Sequence, residues 1–187
     1  MNTYKKEGKT IGRFGCEEWY KDGKLHRKDG PALINPEGTK QWYKEGLRHR
    51  EDGPAIEYKC GAKCWYKNGK LHREDGPAID HNDGTFEWYK DGELHREGGP
   101  ALKNFDGELS WYKNGKLHRE DGPAIDRTHS KNFYEDEEEF MDCVEAMFQE
   151  DKNCSNYDFE EWKNETKLWF LNGVKYSEKD YKEKIKK

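Results

Sequence analysis

The sequence of 187 residues predicts a mainly β fold, an elongated antiparallel β-meander of five 23-residue repeats with a small helical C-terminal cap. The first supporting feature is the dipeptide Trp-Tyr, which recurs without insertion at Trp19, Trp42, Trp65, Trp88 and Trp111. The second is a turn signal at two fixed places in nearly every copy. A fixed period of this length is typical of repeat architectures, in which each copy is one supersecondary unit.

The first turn of each repeat predicts a β-hairpin. Asparagine or aspartate followed by glycine favours a two-residue type I′ turn, because both central residues need a positive φ. The Asp91-Gly92 turn then pairs Tyr89 with Leu94 and Trp88 with His95. The same signal occurs in two other copies, at Asn68-Gly69 and Asn114-Gly115.

The second turn predicts how neighbouring repeats join. Treated as another two-residue turn, Asp83-Gly84 pairs Trp88 with Ile79 and gives one long strand around Trp88, with about two strands per repeat. Side chains alternate along a strand, so Ile79 and Trp88 are expected on the same face. The intervening Gly-Pro predicts a bulge or corner, because proline has no N–H to donate to a sheet.

The composition restricts the class of protein. Charged residues make up 39% and hydrophobic residues 32%, which is close to a disordered composition, yet aromatics reach 14%. A thin sheet with a few large apolar side chains explains both the low hydrophobic fraction and the high aromatic fraction. We expect a cytoplasmic protein, since no apolar run could span a bilayer, the N-terminus lacks a secretory signal and the five Cys form no disulfide framework.

The repeats resemble MORN repeats, whose 23-residue unit is a β-hairpin. The resemblance depends on the period, on Trp65 with the Asn68-Gly69 turn, on His72 and on the later Asp83-Gly84 turn. The constant His-Arg-x-x-Gly-Pro-Ala segment departs from that pattern and is similar to divergent MORN-like proteins of phages, giant viruses and bacteria. This resemblance implies a scaffold or binding surface, sometimes with lipid contacts, and not an enzyme.

Charge and pattern divide the chain into four segments. Residues 135–166 contain thirteen Asp and Glu but two Lys, a local charge of −11, whereas the repeats are nearly neutral. Apolar residues at helical spacing predict an amphipathic helix over 136–150. The expected segments are an N-terminal cap strand (1–18, with Ile11 and Phe14), the repeats (19–133), an acidic helical insert (134–166), and a terminal hairpin with a capping helix (167–187).

Two groups of residues are candidate protein-binding surfaces. The first is the acidic face of the insert: Glu135, Asp136, Glu137, Glu138, Glu139, Asp142 and Glu145. The second is the sheet face that carries the repeated residues: Trp42, Trp65, Trp88, Trp111, His49, His72, His95, His118, Arg50, Arg73, Arg96 and Arg119. The Arg are also expected to form an ion pair or loop bond with the Asp before Gly-Pro, which the fourth copy replaces with Gly98. The alternative is a row of unpaired Arg that binds phosphates or acidic side chains. Each His is expected to pair across from Trp and bond the loop.

Catalytic, metal and cofactor sites are not expected. Equivalent His residues in successive repeats would lie about 10 Å apart, two strand spacings, which is too far for neighbours to share a metal ion. Cys60 and Cys64 could supply half a zinc site, but no second such pair follows. The chain also lacks a nucleophile triad and a phosphate-binding glycine loop.

The favoured function is therefore a non-catalytic protein-binding module of phage or viral type that inhibits a host protein, such as a defence nuclease. Sequestration of a nucleotide or sugar and scaffolding at a membrane surface stay open as alternatives, as does an enzyme. The net charge of −5 argues against direct nucleic-acid binding.

Overall fold

The computed structural model describes residues 7–128 and 167–186. It contains a 14-stranded antiparallel meander, here called the main sheet, and four separate two-stranded hairpins. The main sheet comprises β1 (Gly8–Ile11), β2 (Glu17–Lys21), β3 (Lys24–Leu25), β4 (Leu33–Ile34), β5 (Lys40–Gln41), β8 (Ile56–Glu57), β9 (Lys63–Cys64), β12 (Ile79–Asp80), β13 (Phe86–Glu87), β16 (Leu102–Lys103), β17 (Leu109–Ser110), β20 (Ile125–Asp126), β21 (Lys167–Leu171) and β22 (Val174–Tyr176). The hairpins are β6 (Tyr43–Lys44) with β7 (Leu47–Arg48), β10 (Tyr66–Lys67) with β11 (Lys70–Leu71), β14 (Tyr89–Lys90) with β15 (Glu93–Leu94), and β18 (Tyr112–Lys113) with β19 (Lys116–Leu117). The predicted β-meander with a small helical cap is confirmed.

The hairpin turns have the predicted geometry. Asn68 and Gly69 have φ of 51° and 82°, both in the left-handed region that a type I′ turn requires. Tyr89 pairs with Leu94 as predicted, and the His95 amide donates to the Trp88 carbonyl at 3.0 Å.

The predicted register of the second turn is wrong by one residue. The His81 amide donates to the Thr85 carbonyl at 3.2 Å, so this loop has three residues instead of two. Its last residue, Gly84, has a φ of 96°, the glycine position of a three-residue hairpin loop with a bulge. Ile79 therefore pairs with Glu87, not with Trp88, and the one-residue shift moves it to the opposite face from the one expected.

The predicted long strand around Trp88 is divided at Trp88 itself. Residues before it belong to the main sheet and residues after it to a hairpin, so each repeat has four short strands instead of two. The Trp88 amide donates to the Ala101 carbonyl at 2.7 Å, while the Trp88 carbonyl accepts from the hairpin. Trp88 is thus the residue that joins the main sheet to the hairpin.

The hairpins form a second row that runs beside the main sheet. The Gly92 amide donates to the Leu71 carbonyl at 2.8 Å, and the Arg73 amide donates to the Tyr89 carbonyl at 3.3 Å. Equivalent bonds recur at the other repeat boundaries. Each repeat is therefore connected to the next through backbone hydrogen bonds both in the main sheet and in the row of hairpins.

The N-terminal end is closed by β1 and by the side chain of Glu7. A carboxylate oxygen of Glu7 accepts from the Asp22 amide at 2.8 Å, at the position where later repeats use a His of the preceding copy. Ile11 and Phe14 do not pack over this end as expected, since they are 66% and 85% exposed. They lie on and next to β1, which among the described residues has a strand on one side only.

The C-terminal hairpin of β21 and β22 occupies the place of a sixth repeat. Asp126 pairs with Lys167, although about forty residues separate them, and the Gly173 amide donates to the Leu117 carbonyl at 2.8 Å. The chain therefore leaves the array at a main-sheet turn and returns in register. The expected acidic insert 134–166 and its helix 136–150 lie outside the described residues.

A helix, α1 (Glu178–Ile185), covers this last hairpin. Ser177 caps it by accepting from the Asp180 amide at 3.1 Å. Tyr181 is fully buried, its ring lies 4.9 Å from that of Trp169, and its hydroxyl donates to the Arg119 carbonyl. No helix within the described residues is long and apolar enough to cross a membrane.

We expect Tyr181→Ala to destabilise the protein by about 3 kcal/mol, because it removes a large, fully buried side chain of the cap. Tyr181→Phe keeps the ring but leaves the Arg119 carbonyl without this donor, so a loss of about 1 kcal/mol is expected. Urea unfolding measures both. Lys179→Ala, on the exposed side of the same helix, is the control and should be nearly neutral; equal losses in all three variants would contradict the capping role.

Candidate functional site

The repeated Arg and Trp side chains stack on each other within each repeat. The guanidinium carbon of Arg73 lies 4.1 Å from the centre of a Trp65 ring, a distance typical of a cation–π contact. The same contact occurs in all five repeats at 3.9 to 4.1 Å, in the pairs Arg27–Trp19, Arg50–Trp42, Arg73–Trp65, Arg96–Trp88 and Arg119–Trp111. The sheet-face candidates therefore contact one another.

The Gly-Pro-Ala segment holds the other side of each guanidinium. A Cβ atom added to Gly76 would lie 2.7 Å from the Arg73 guanidinium carbon, so only glycine allows this approach. Arg73 Nη1 donates to the Pro77 carbonyl at 3.3 Å, and Ala78 beyond it is fully buried. The corner predicted for Gly-Pro is the place where the chain passes from the hairpin back to the main sheet.

An Asp completes the coordination of Arg in three repeats. Arg73 Nε donates to an Asp75 carboxylate oxygen at 2.9 Å, and the equivalent pairs are Arg50–Asp52 at 2.9 Å and Arg119–Asp121 at 2.7 Å. The hydrogen bond from Arg73 is the main cause that holds the pKa of Asp75 below its usual value. The predicted ion pair is thereby confirmed in these repeats.

The repeated His residues connect each repeat to the next one. His72 Nδ1 accepts from the amide of Asp91, in the following hairpin turn, at 3.1 Å. The equivalent residues His26, His49, His95 and His118 do the same, at 3.1 to 3.2 Å. The predicted loop bond of His exists, but it reaches the loop of the next repeat.

Shallow grooves lie between successive repeats on the side of the Arg and His rows. The groove between the second and third repeats has a volume of 910 Å³ and is lined by residues that include Arg50, Asp52, His72 and Glu74. Similar grooves occur between the first and second repeats and between the third and fourth. Their walls combine these charged side chains with the Trp and Tyr of each repeat, such as Trp65 and Tyr66. The Arg and His in the walls already have hydrogen-bond partners, as Arg50 does in Asp52.

The residues that differ between repeats are concentrated at the main-sheet turns. These turns lie side by side along the edge of the main sheet that is formed by the ends of its strands. We call them the turn row: residues 35–39, 58–62, 81–85 and 104–108. Neighbouring turns touch, since Asn82 Nδ2 donates to the Cys60 carbonyl at 3.1 Å. Tyr58 and Phe105 are 42% and 56% exposed there. The chain also leaves the array for residues 129–166 at this edge.

The turn row was not among the candidate residues from sequence. The signal that could have found it is the comparison of the five copies, because the positions after Gly-Pro-Ala are where they differ most. The other candidate surface, Glu135, Asp136, Glu137, Glu138, Glu139, Asp142 and Glu145, lies outside the described residues.

Cys60 and Cys64 are not positioned as a metal site. Cys60 is exposed in the turn row, whereas Cys64 is buried in β9, and burial raises the pKa of its thiol to about 11. Within residues 7–128 and 167–186, no group of three or more His, Cys, Asp or Glu could hold a metal ion.

No protein-family model matches the chain, and no curated protein matches it either. The resemblance to MORN repeats therefore stays a prediction from the motif.

We expect Gly76→Ala to destabilise the protein by about 2 kcal/mol, because the added methyl group displaces the Arg73 guanidinium from Trp65. The cost should fall clearly in an Arg73→Ala background, where nothing remains to be displaced. A double-mutant cycle by urea unfolding measures this difference. If Gly76→Ala costs the same in both backgrounds, the close approach of Arg73 is not the reason for the glycine.

The Asp carboxylates paired with Arg should titrate at unusually low pH. Because their folded pKa is lowered, their contribution to stability is present above the unfolded pKa of about 3.9 and is lost as the pH falls through the lower folded pKa. Carbon NMR of the carboxyl groups measures each pKa. Arg73→Gln should return the pKa of Asp75 to the ordinary range and leave that of Asp121 unchanged; an unchanged Asp75 would contradict the assigned cause.

Proposed function

We propose that the protein is a non-catalytic binding module that engages another protein through its turn row. The supporting observation is that the repeated Trp, Arg and His side chains bond one another or the backbone, whereas the departures from the repeat collect at one edge. A specific partner needs a surface that is not the same in every copy. Repeat proteins present extended surfaces of this kind on a scaffold built from identical units.

The exposed side chains of the turn row suit a protein partner. Tyr58 and Phe105 are large aromatic residues, a type enriched at the centres of protein interfaces. The same row of turns carries Lys59, Asp83 and Asp106, which are charges of both signs. Aromatic anchors with a mixed polar rim are typical of a surface that binds a protein. A surface that binds nucleic acid would instead carry mostly positive charge.

A finer proposal concerns the kind of partner. The resemblance to phage and viral repeat proteins, together with the acidic segment 135–166, favours a host protein that the module inhibits, such as a defence nuclease with a basic surface. The turn row supports this in one respect, since the chain enters and leaves the acidic segment at the same edge.

We expect the double variant Tyr58→Ser with Phe105→Ser to lose the partners that the immobilised intact protein captures from a host-cell lysate. The matched control changes Leu47 and Val174 to Ser; these residues are 50% and 54% exposed but lie in β7 and β22, outside the turn row. It should retain the same partners. Mass spectrometry of the captured proteins gives the measurement, and equal capture by all three proteins would argue against the turn row.

The acidic segment is tested separately by changing Glu135, Glu137, Glu138 and Glu139 to Gln. Loss of the same partner would place both surfaces in one interface. Unchanged capture would remove the acidic segment from the proposal and leave the turn row.

A further inference from the structure

The fourth repeat lacks the carboxylate that completes the Arg site in three other copies. Gly98 stands where those repeats have Asp52, Asp75 and Asp121. Arg96 is nevertheless held as in those repeats, with its guanidinium carbon 3.9 Å from the centre of a Trp88 ring and its Nη1 donating to the Pro100 carbonyl at 3.1 Å. The cation is therefore positioned in the same way, but the anion is missing.

Nothing else in residues 7–128 or 167–186 replaces that carboxylate. The neighbouring Glu97 faces His95, with 3.9 Å between its carboxylate and His95 Nε2, and it makes no hydrogen bond or ion pair with Arg96 among these residues. A Cβ atom built on Gly98 meets no heavy atom within 4 Å, so the space beside the backbone is open. Arg96 Nε thus has no carboxylate partner among the described residues.

The first repeat differs from the fourth in having an Asp at this position, although within the described part of the chain its Arg forms no ion pair with that Asp. Arg27 has the same stacking on Trp19 and the same bond to Pro31. No ion pair joins Arg27 to Asp29 among the described residues, but Asp29 is two residues away and can reach Nε by a change of rotamer. Arg96 has no such internal carboxylate.

The missing group defines the chemistry of the ligand. In the other repeats this position accepts the Arg Nε hydrogen through a carboxylate oxygen at 2.7 to 2.9 Å. The Asp side chain is 82% to 84% exposed, so an anion from solvent can reach the same place. Because stacking on Trp88 and the bond to Pro100 already fix the guanidinium, little conformational entropy is lost on binding.

We propose that Arg96 is the binding site for an Asp or Glu side chain of a protein partner, which supplies the carboxylate absent from the fourth repeat. The assignment of that carboxylate to a protein rests on the proposed function, whereas the site itself does not. It also makes one member of the Arg row differ in charge from the others, which is a way to fix the register of a partner along the repeats.

Arginine side-chain NMR tests the site in the intact protein, because the Nε–H resonance of each Arg is observed directly. Sodium acetate is added and compared with sodium chloride at equal ionic strength. We expect the Arg96 signal to move with acetate and to approach saturation, while the signals of Arg50, Arg73 and Arg119 stay in place. Equal movement of all four signals, or none for Arg96, would overturn the proposal.

Two variants at one position provide the matched comparison. Gly98→Asp restores the residue of the other repeats; with the negative φ that Asp52, Asp75 and Asp121 have, its carboxylate reaches Arg96 and should abolish the response to acetate. Gly98→Asn adds a neutral side chain of the same shape and should retain the response. Both residues tolerate the φ of 73° at this position better than other side chains do. Retention of the response in Gly98→Asp, with the protein still folded by thermal melting, would refute the site.

The remaining outcomes are equally decisive. An Arg96 signal that in the protein alone already matches those of Arg50 and Arg73 would show that the chain itself fills the site, which overturns the proposal. A stronger response to inorganic phosphate than to acetate would replace the carboxylate by a phosphoryl ligand.

Failure of this site and failure of the proposed function are distinguishable. If acetate leaves Arg96 unchanged but the turn-row variants lose partners, only the Arg96 site fails. With a captured partner in hand, Gly98→Asp should weaken binding at least about tenfold, because a hydrogen bond between charged groups is lost. Gly98→Asn should weaken it less.

Discussion

The contact between Arg and Trp within each repeat is the interaction on which the rest of the fold depends. Trp65 is the residue at which the chain passes from the main sheet to a hairpin, and Arg73 lies across its ring after that hairpin has closed. Gly76 leaves room for the guanidinium and Pro77 accepts its hydrogen bond. A cation–π contact of this kind contributes about 0.5–2 kcal/mol.

Repetition of this unit produces an array whose repeats are tied together by backbone bonds and by His. Because His72 accepts from the turn of the next hairpin, a repeat without a successor would leave this acceptor unused, and a repeat without a predecessor would leave a turn amide unpaired. The two ends of the array replace the missing neighbour in different ways. Glu7 supplies an acceptor at the first turn, while Tyr181 covers Trp169 at the last hairpin. Stability in such stacks comes from neighbours, so both ends need a substitute for the missing one.

The residues that build the array are different from the residues that vary between its copies. The motif residues are used within the array, so evolution can change them only at a cost to folding. The turn row and the fourth-repeat site at Arg96 are places where one copy differs from another without disturbing the stack. Tyr58 and Phe105 are exposed, and Gly98 faces open space. A partner that binds at these places would recognise one position along the array and one orientation.

The sequence alone was sufficient for the period, the hairpin at Asp91-Gly92, the ion pair of Arg73 with Asp75 and the terminal hairpin at Trp169, because each is encoded by residues close together in the chain. It was not sufficient for the register at Asp83-Gly84, where a two-residue and a three-residue loop both satisfy the local signal and only the pairing of Ile79 with Glu87 distinguishes them. Nor could it show that His72 bonds the following repeat or that Arg73 lies against Gly76. Local turn preferences are properties of a few residues, whereas register, inter-repeat bonds and the open side of Arg96 depend on how strands from different repeats pack.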